Sequence, residues 1–227
     1  MDGDKVRQED TQIAKDYFGS FAQDYSHAFG GSAQSPLHEI VNRLFRRQTF
    51  LARTRIVHDI LQQHGIGPGK HVLDLGCGSG EVSIMAAQLG AQVTGIDIVA
   101  DMVRLAAQQA EAAGVSDRTE FMVRDIFKES LPQVDAAMMI GVVEYYADIT
   151  DLLATITGAT REMVIIVDTA GPFWRRQLRY LLATLKHFRI YYRDPPEIDT
   201  VMTKLGFQPE TPIRGHSFVV LVYTRQS

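Results

Sequence analysis

The sequence is poor in the features that mark secreted, membrane-spanning or nucleic-acid-coating chains. It holds one cysteine, Cys77, which excludes an internal disulfide framework and gives no sign of an oxidising compartment. No stretch approaches the roughly 18 to 20 uninterrupted apolar residues that cross a bilayer. The polar opening, Met1 to Thr11, lacks the apolar core of a secretory signal. A soluble, cytoplasmic protein is expected. Positive charge is also in deficit: 23 Lys and Arg against 27 Asp and Glu leave a net charge of −4. Any attraction to nucleic acid or anionic membrane must therefore be local. No spacing of His, Cys, Asp and Glu suggests a metal site, and none is expected.

What is present is the composition of an ordinary globular protein, 45% hydrophobic and 22% charged over 227 residues. That length suits one α/β domain with a helical cover. Residues 1–11 are expected to fray. Ile13, Tyr17, Phe18, Phe21, Tyr25 and Phe29 then recur with helical spacing. Gly30 and Gly31 break that helix, and a second amphipathic run, Leu37 to Gln63, ends at Gly65, suited to a left-handed cap.

Beyond Gly67–Pro68–Gly69, short β-rich runs (His71–Leu75, Gln92–Ile98, Thr119–Val123, Val134–Ile140, Met163–Val167) alternate with helical ones (Val82–Leu89, Met102–Ala112, Asp151–Thr157). This is the texture of βαβ units on a parallel sheet. Phe207–Gln208 and Ser217–Tyr223 follow without a helix between them and read as an antiparallel edge pair. The division expected is a helical arm, 1–65, and an α/β domain, 66–227. A basic amphipathic helix, 171–195, is inserted in the latter.

The densest local pattern is HVLDLGCGSG, His71 to Gly80. Asp74 sits at a strand tip, and Gly76, Gly78 and Gly80 turn the chain into a helix. Glycine there permits unusual backbone angles and close approach of a ligand, while the helix-start amides offer donors. Asp97 ends the second strand, where an acid about 20 residues past a glycine loop binds ribose hydroxyls. Asp125 and Ile126 follow the third strand, a carboxylate for an adenine amine with Ile126 and Ile98 for its ring. Gly141 to Tyr145 close the crevice after the fourth. The loop is G-x-G-x-G behind an acid, whereas the dinucleotide fingerprint is G-x-G-x-x-G. An acid so close would repel a pyrophosphate but suits the ammonium of an amino-acid-bearing cofactor.

With these residues the chain, from 70 to about 170, resembles the class I S-adenosylmethionine-dependent methyltransferases. The resemblance implies a doubly wound, seven-stranded, mostly parallel sheet in the order 3-2-1-4-5-7-6, its last strand antiparallel. S-adenosylmethionine is the implied cofactor and S-adenosylhomocysteine the product. Gly76, Gly78 and Gly80 would line the methionine part, Asp97 the ribose, Asp125 and Ile126 the adenine, and Gly141–Val142 the cofactor's middle. Tyr17 and Tyr25 would lie on an arm folded over it, or else in the helix core. Arg43, Arg46, Arg47, Arg53 and Arg55 read as a solvated face, with Arg53 the member that would reach the cofactor carboxylate. The layout is similar to that of ubiquinone-biosynthesis and magnesium-protoporphyrin O-methyltransferases, except that Glu144 stands where the porphyrin enzymes carry a His.

The acceptor expected is a small or medium organic molecule, methylated at O, N or C, with no nucleic acid partner. Arg175, Arg176 and Arg179 of the insertion would draw an acidic or carrier-linked acceptor. Other readings of that helix are simple packing and contact with a membrane surface. Glu144 is the first candidate for a base, or else a solvated helix-start carboxylate. His216 is the second, or else an edge-strand surface residue. Three alternatives remain: a non-catalytic binding module, an RNA or protein methyltransferase (although Gly141–Tyr146 lacks the Asn/Asp-Pro-Pro-Tyr motif), and a nicotinamide oxidoreductase.

Overall fold

The computed structural model describes residues 3–28, 51–171, 173–185 and 189–226. The expected break at Gly30–Gly31, the first part of the second helix and the arginines 43, 46 and 47 lie outside the described residues. A helix, α1 (Gly3–Ala28), is followed by a helical run over 51–63 (α2). The domain proper then begins with strands β1 (His71–Leu75), β2 (Gln92–Asp97), β3 (Thr119–Val123), β4 (Val134–Ile140) and β5 (Thr160–Thr169). Between and after them come α3 (Glu81–Gln88), α4 (Ala100–Ala112), α5 (Thr150–Ala159), α6 (Phe173–Leu185) and α7 (Pro195–Lys204). β6 (Phe207–Pro209), β7 (Ile213–Arg214) and β8 (Phe218–Arg225) close the chain.

The strands make one sheet ordered β3-β2-β1-β4-β5-β8-β6, with β7 attached to β8 alone. β1 to β5 run parallel; β8 is antiparallel to β5 and to β6. Leaving aside the two-residue β7, this is the 3-2-1-4-5-7-6 order that the resemblance implies. Two details differ from the sequence reading. β7 has no apolar pattern to reveal it, since both its residues are exposed. The final pair is also not wholly an edge: β8 lies inside the sheet, and only β6 is marginal. The burial of β8 from Phe218 to Tyr223 reflects that internal place.

Alternate residues of each strand serve opposite faces. Val72, Met138, Ile165 and Val220 pack with Val57 and Leu61 of α2 and Val82 and Ala86 of α3. Leu73, Met139, Val164 and Ile166 pack with Leu152 and Ile156 of α5 and Ile198 and Met202 of α7. Strands covered on both faces must be apolar almost throughout, which is why β4 and β5 read as continuous hydrophobic runs.

The end of α2 follows the expected glycine cap: Gly65 has φ 67°, its amide donates to the Gln62 carbonyl, and that of Ile66 donates to Leu61 at 2.8 Å. The polar start of the chain, by contrast, is not frayed. α1 begins at Gly3, and Asp10 is only 2% exposed. The Asp10 carboxylate accepts the Ala147 amide at 2.9 Å and the Tyr191 hydroxyl at 3.1 Å. Composition misleads here because polar residues of α1 find partners in distant segments. Among the described residues no helix is long and apolar enough to cross a membrane.

Candidate active site

Parallel pairing sets the acids in a row. Asp74 is one residue from the end of β1, Asp97 ends β2 opposite Val123 of β3, and Asp125 follows two residues later. All three stand at the carboxyl ends of adjacent strands, where open α/β sheets bind ligands. The glycine loop is locked to this row. Gly76 and Cys77 donate their amides to the Ile96 carbonyl. The Gly78 amide donates to Asp97 Oδ2 at 2.9 Å, and Val99 N–H to its Oδ1 at 2.9 Å.

Gly76, Gly78 and Gly80 have φ of 70°, 54° and 83°. A Cβ on Gly76 would meet Val142 at 2.5 Å, and one on Gly80 would meet Ala106 at 2.8 Å. At Gly78 nothing lies within 4 Å of that position. The first and third glycines thus allow close packing, and the second faces open space.

Asp74 is 1% exposed. Its Oδ2 accepts the Ser83 hydroxyl at 2.6 Å, yet its Oδ1 is buried with no hydrogen-bond partner. Burial pushes the carboxyl up to about 6, against the pull of the Ser83 bond. Asp97 is likewise raised by burial, against the amides of Val99 and Gly78. This donor set fits S-adenosylmethionine: an orphaned carboxylate oxygen for an ammonium, an oriented carboxylate for ribose hydroxyls, and a glycine with free space beside it. Asp125 keeps one oxygen on the Phe127 amide at 3.1 Å. Ile126 turns inward at 7% exposure into the α5 face of the core, whereas Ile98 packs with Val99, Met102 and Phe18. The two isoleucines thus belong to different apolar clusters. Gly141, with φ 70°, leaves the end of β4 open, nothing lying within 4 Å of its Cβ position.

Above β4 and β5 the site is roofed by two separate segments. From α1, Phe18 reaches both the Val99–Met102 cluster and Tyr145, with ring centroids 5.2 Å apart in the latter pair. Tyr17 joins Tyr145, Tyr192, Ala183 and Ile190. It therefore belongs to the apolar cluster that joins α1 to the insertion. Tyr25 is within α1, but its side chain lies outside the described residues. From the insertion, Arg179 donates through two nitrogens to Glu144, at 2.8 and 2.7 Å, and to the Thr169 hydroxyl at 2.6 Å. Burial works against the guanidinium charge, but the Glu144 bond and charge hold its pKa above the usual value.

Glu144 is thus neither solvated nor open to a substrate proton; both its oxygens are gripped. Arg193 clamps the same turn from the other side, donating to the carbonyls of Val143, Tyr146 and Ala147. Arg176 pairs with Asp194 at 3.6 Å and lies over the Tyr192 ring. The side chain of Arg175 is outside the described residues. Two of the three arginines expected to attract an acidic acceptor are therefore already engaged. An open groove of about 410 Å³ lies beside this roof, lined by Ala147, Ile190, Tyr191, Tyr192 and Arg193 among others.

His216 is exposed, in the turn before β8, and is not part of this cluster. Sequence reasoning passed over Asp168, which ends an apolar strand that carries no motif, and Asp10, which stands in a polar stretch.

Residues 72–163 match the family model described as a methyltransferase domain. Among curated proteins, the chain is 37% identical over 100 residues to tRNA 5-carboxymethoxyuridine methyltransferase of Escherichia coli K12, covering 42% of this chain and 38% of that one. It is 36% identical over 86 residues to ubiquinone biosynthesis O-methyltransferase of Xanthomonas axonopodis pv. citri, covering 37% and 36%. The chain thus spans well under two-thirds of the curated relatives it matches first. Among solved structures, magnesium protoporphyrin IX methyltransferase from Synechocystis PCC 6803 with bound SAH superposes with a TM-score of 0.76 at 25% identity. That match covers 96% of this chain and 100% of the other.

Proposed function

We propose that the chain, whose residues 72–163 match a methyltransferase domain, is a class I S-adenosylmethionine-dependent enzyme that methylates a small or medium organic acceptor held between the sheet and the α1–α6 roof. The observation that carries the cofactor half of this reading is the orphaned Oδ1 of Asp74. A buried acceptor without a donor is costly, and an α-ammonium supplies the missing donor together with a compensating charge. The same carboxylate disfavours a pyrophosphate and so a nicotinamide dinucleotide.

In this reading Asp74 holds the ammonium, Asp97 the ribose and the Asp125–Ile126 turn the adenine. When bound, S-adenosylmethionine would supply an electrophilic methyl carbon for the acceptor's nucleophilic atom. The protein's part is to hold the acceptor in line and keep water out. Tyr17, Phe18, Tyr145 and Tyr192 form the apolar wall for this. Glu144, fixed by Arg179, positions the wall by tying the insertion to the end of β4. With Arg176 and Arg179 engaged, this wall suits an acceptor uncharged near its reacting atom.

Calorimetric titration with S-adenosylmethionine, S-adenosylhomocysteine and NAD, on the native chain and on Asp97→Ala, tests the cofactor. Binding of the two adenosyl ligands, lost in the variant, is expected; binding of NAD alone would overturn the reading. Transfer of labelled methyl to tRNA, with none to small acceptors, would replace the acceptor class by the RNA class after which one of the relatives is named.

A further inference from the structure

β5 ends in a buried carboxylate that the roles assigned above leave unused. Asp168 lies one residue past the Ile140–Val167 pairing and so stands level with Gly141, where the ends of β4 and β5 meet the roof. It is 3% exposed. Its Oδ1 accepts the Thr169 amide at 2.7 Å, and its Oδ2 takes no hydrogen bond from the described residues.

The charged groups facing it come from three segments: Glu144 after β4, Arg193 before α7 and Arg179 of α6. Its partner across the sheet, Val219 of β8, is apolar. Both arginines are committed elsewhere, Arg179 to Glu144 and Thr169, Arg193 to the carbonyls of the turn after β4. Among the described residues the Thr169 amide is the one hydrogen-bond donor to this carboxylate, which stands beside the place assigned to the acceptor.

We propose that Asp168 is the general base of the methyl transfer, its Oδ2 taking the proton of a hydroxyl acceptor placed over the ends of β4 and β5; this rests on the function proposed above. The acceptor's O–H bond breaks, the proton goes to Oδ2, and the electron pair remains on the acceptor oxygen, which becomes the nucleophile for the methyl carbon. Burial first, and the charge of Glu144 second, push the Asp168 carboxyl up to about 7. A base in that range is partly unprotonated at neutral pH yet basic enough to draw a hydroxyl proton. Glu144 thereby acts on Asp168 through its charge, as a positioning residue rather than as a base.

Full-length protein labelled with ¹³C-carboxyl aspartate is titrated by NMR from about pH 4 to about pH 9, across the carboxylate and neutral ranges, with and without S-adenosylhomocysteine. Two carboxyls titrating above the ordinary carboxylate range are expected, those of Asp74 and Asp168, and the one nearer neutrality should be missing from Asp168→Asn. The variant should retain calorimetric binding of S-adenosylhomocysteine. Against a panel of phenolic and aliphatic hydroxyl compounds it should lose on the order of 10²- to 10⁴-fold in kcat, together with the acidic limb of the pH profile. Asp168→Glu, which keeps a carboxyl, should regain part of the rate and a shifted limb. Titration in the ordinary carboxylate range, or native turnover and pH profile in Asp168→Asn, would overturn the assignment. If the native chain binds no adenosyl ligand, the proposed function fails and the base with it; if it binds and Asp168→Asn is fully active, only the base fails.

Discussion

The guanidinium of Arg179 and the carboxylate of Glu144 close a two-pronged ion pair, at 2.8 and 2.7 Å, that fastens α6 to the turn after β4. The pair is lopsided: the side chain of Glu144 is 2% exposed and that of Arg179 37%. Arg179→Ala strands a buried charge and should cost about 3–5 kcal/mol. Glu144→Gln leaves a guanidinium that can turn to water and should cost less, about 1–2 kcal/mol once solvent screening is allowed for. Urea unfolding of the two variants and their double mutant checks this; equal losses that simply add would contradict it.

The second and third loop glycines should separate folding from binding. Gly80→Ala forces a Cβ to 2.8 Å from that of Ala106 at φ 83° and should lose more than about 2 kcal/mol of stability. Gly78→Ala meets nothing within 4 Å at φ 54° and should lose about 1 kcal/mol. Its methyl group nevertheless enters the space beside the loop, so affinity for S-adenosylhomocysteine should fall at least about tenfold, or 1.4 kcal/mol. Unfolding curves paired with calorimetry decide it; unimpaired binding by Gly78→Ala would refute the orientation assigned to that loop.

Stability should fall as pH rises from about 4 toward 7. Asp74 is pushed up to about 6 and Asp168 to about 7, each chiefly by burial. Between the unfolded carboxylate value and these values the native state holds protons that the unfolded chain has released. The stabilisation is therefore fully present below the unfolded pKa and is lost as pH climbs through the folded one, with a limiting slope of about 1.4 kcal/mol per pH unit for each group. Asp135 and Asp148, whose pKa values are lowered, act in the opposite sense, but in more acidic solution. Urea midpoints at pH 5 and 8 should differ more for the native chain than for Asp168→Asn.

Asp10→Ala removes the acceptor of the Ala147 amide and the Tyr191 hydroxyl, a loss of about 1–3 kcal/mol. Amide exchange across α1 should quicken, because this carboxylate is one of the arm's anchors. Asp16→Ala, on the exposed side of the same helix with Gln12 for a partner among the described residues, is the control and should leave exchange unchanged. Faster exchange in both would point to general weakening of the helix.

The sheet was readable from the chain because its signals are local. Short apolar runs, a three-glycine turn and an acid at or near the end of each of three strands all lie within a few residues of the structure they produce. The roof was harder to read. Arg179 is one of several arginines on an amphipathic helix, and nothing nearby says that it, rather than Arg175 or Arg176, meets Glu144, 35 positions away in the chain. Glu144 therefore read as a candidate base, since its role is set by a partner the local sequence does not name. Asp168 was hidden for a related reason: an acid at the end of an apolar strand is unremarkable until Glu144 and the roof are packed over it. Asp10 shows the same limit at the other end of the chain, a polar residue buried by segments 137 and 181 positions away.

The two halves of the cavity are written in different stretches of the chain. Its floor is held by strand pairing from β1 to β4, while its ceiling comes from α1 and from the 173–194 segment, each fastened by a few side chains. Exchanging the ceiling would leave Asp74, Asp97 and Asp125 in register. Descendants of one ancestor could then diverge in what they modify while inheriting the same grip on the methyl donor, and a transplanted 173–194 segment that brings its own counterpart to Arg179 is the natural graft for retargeting this protein.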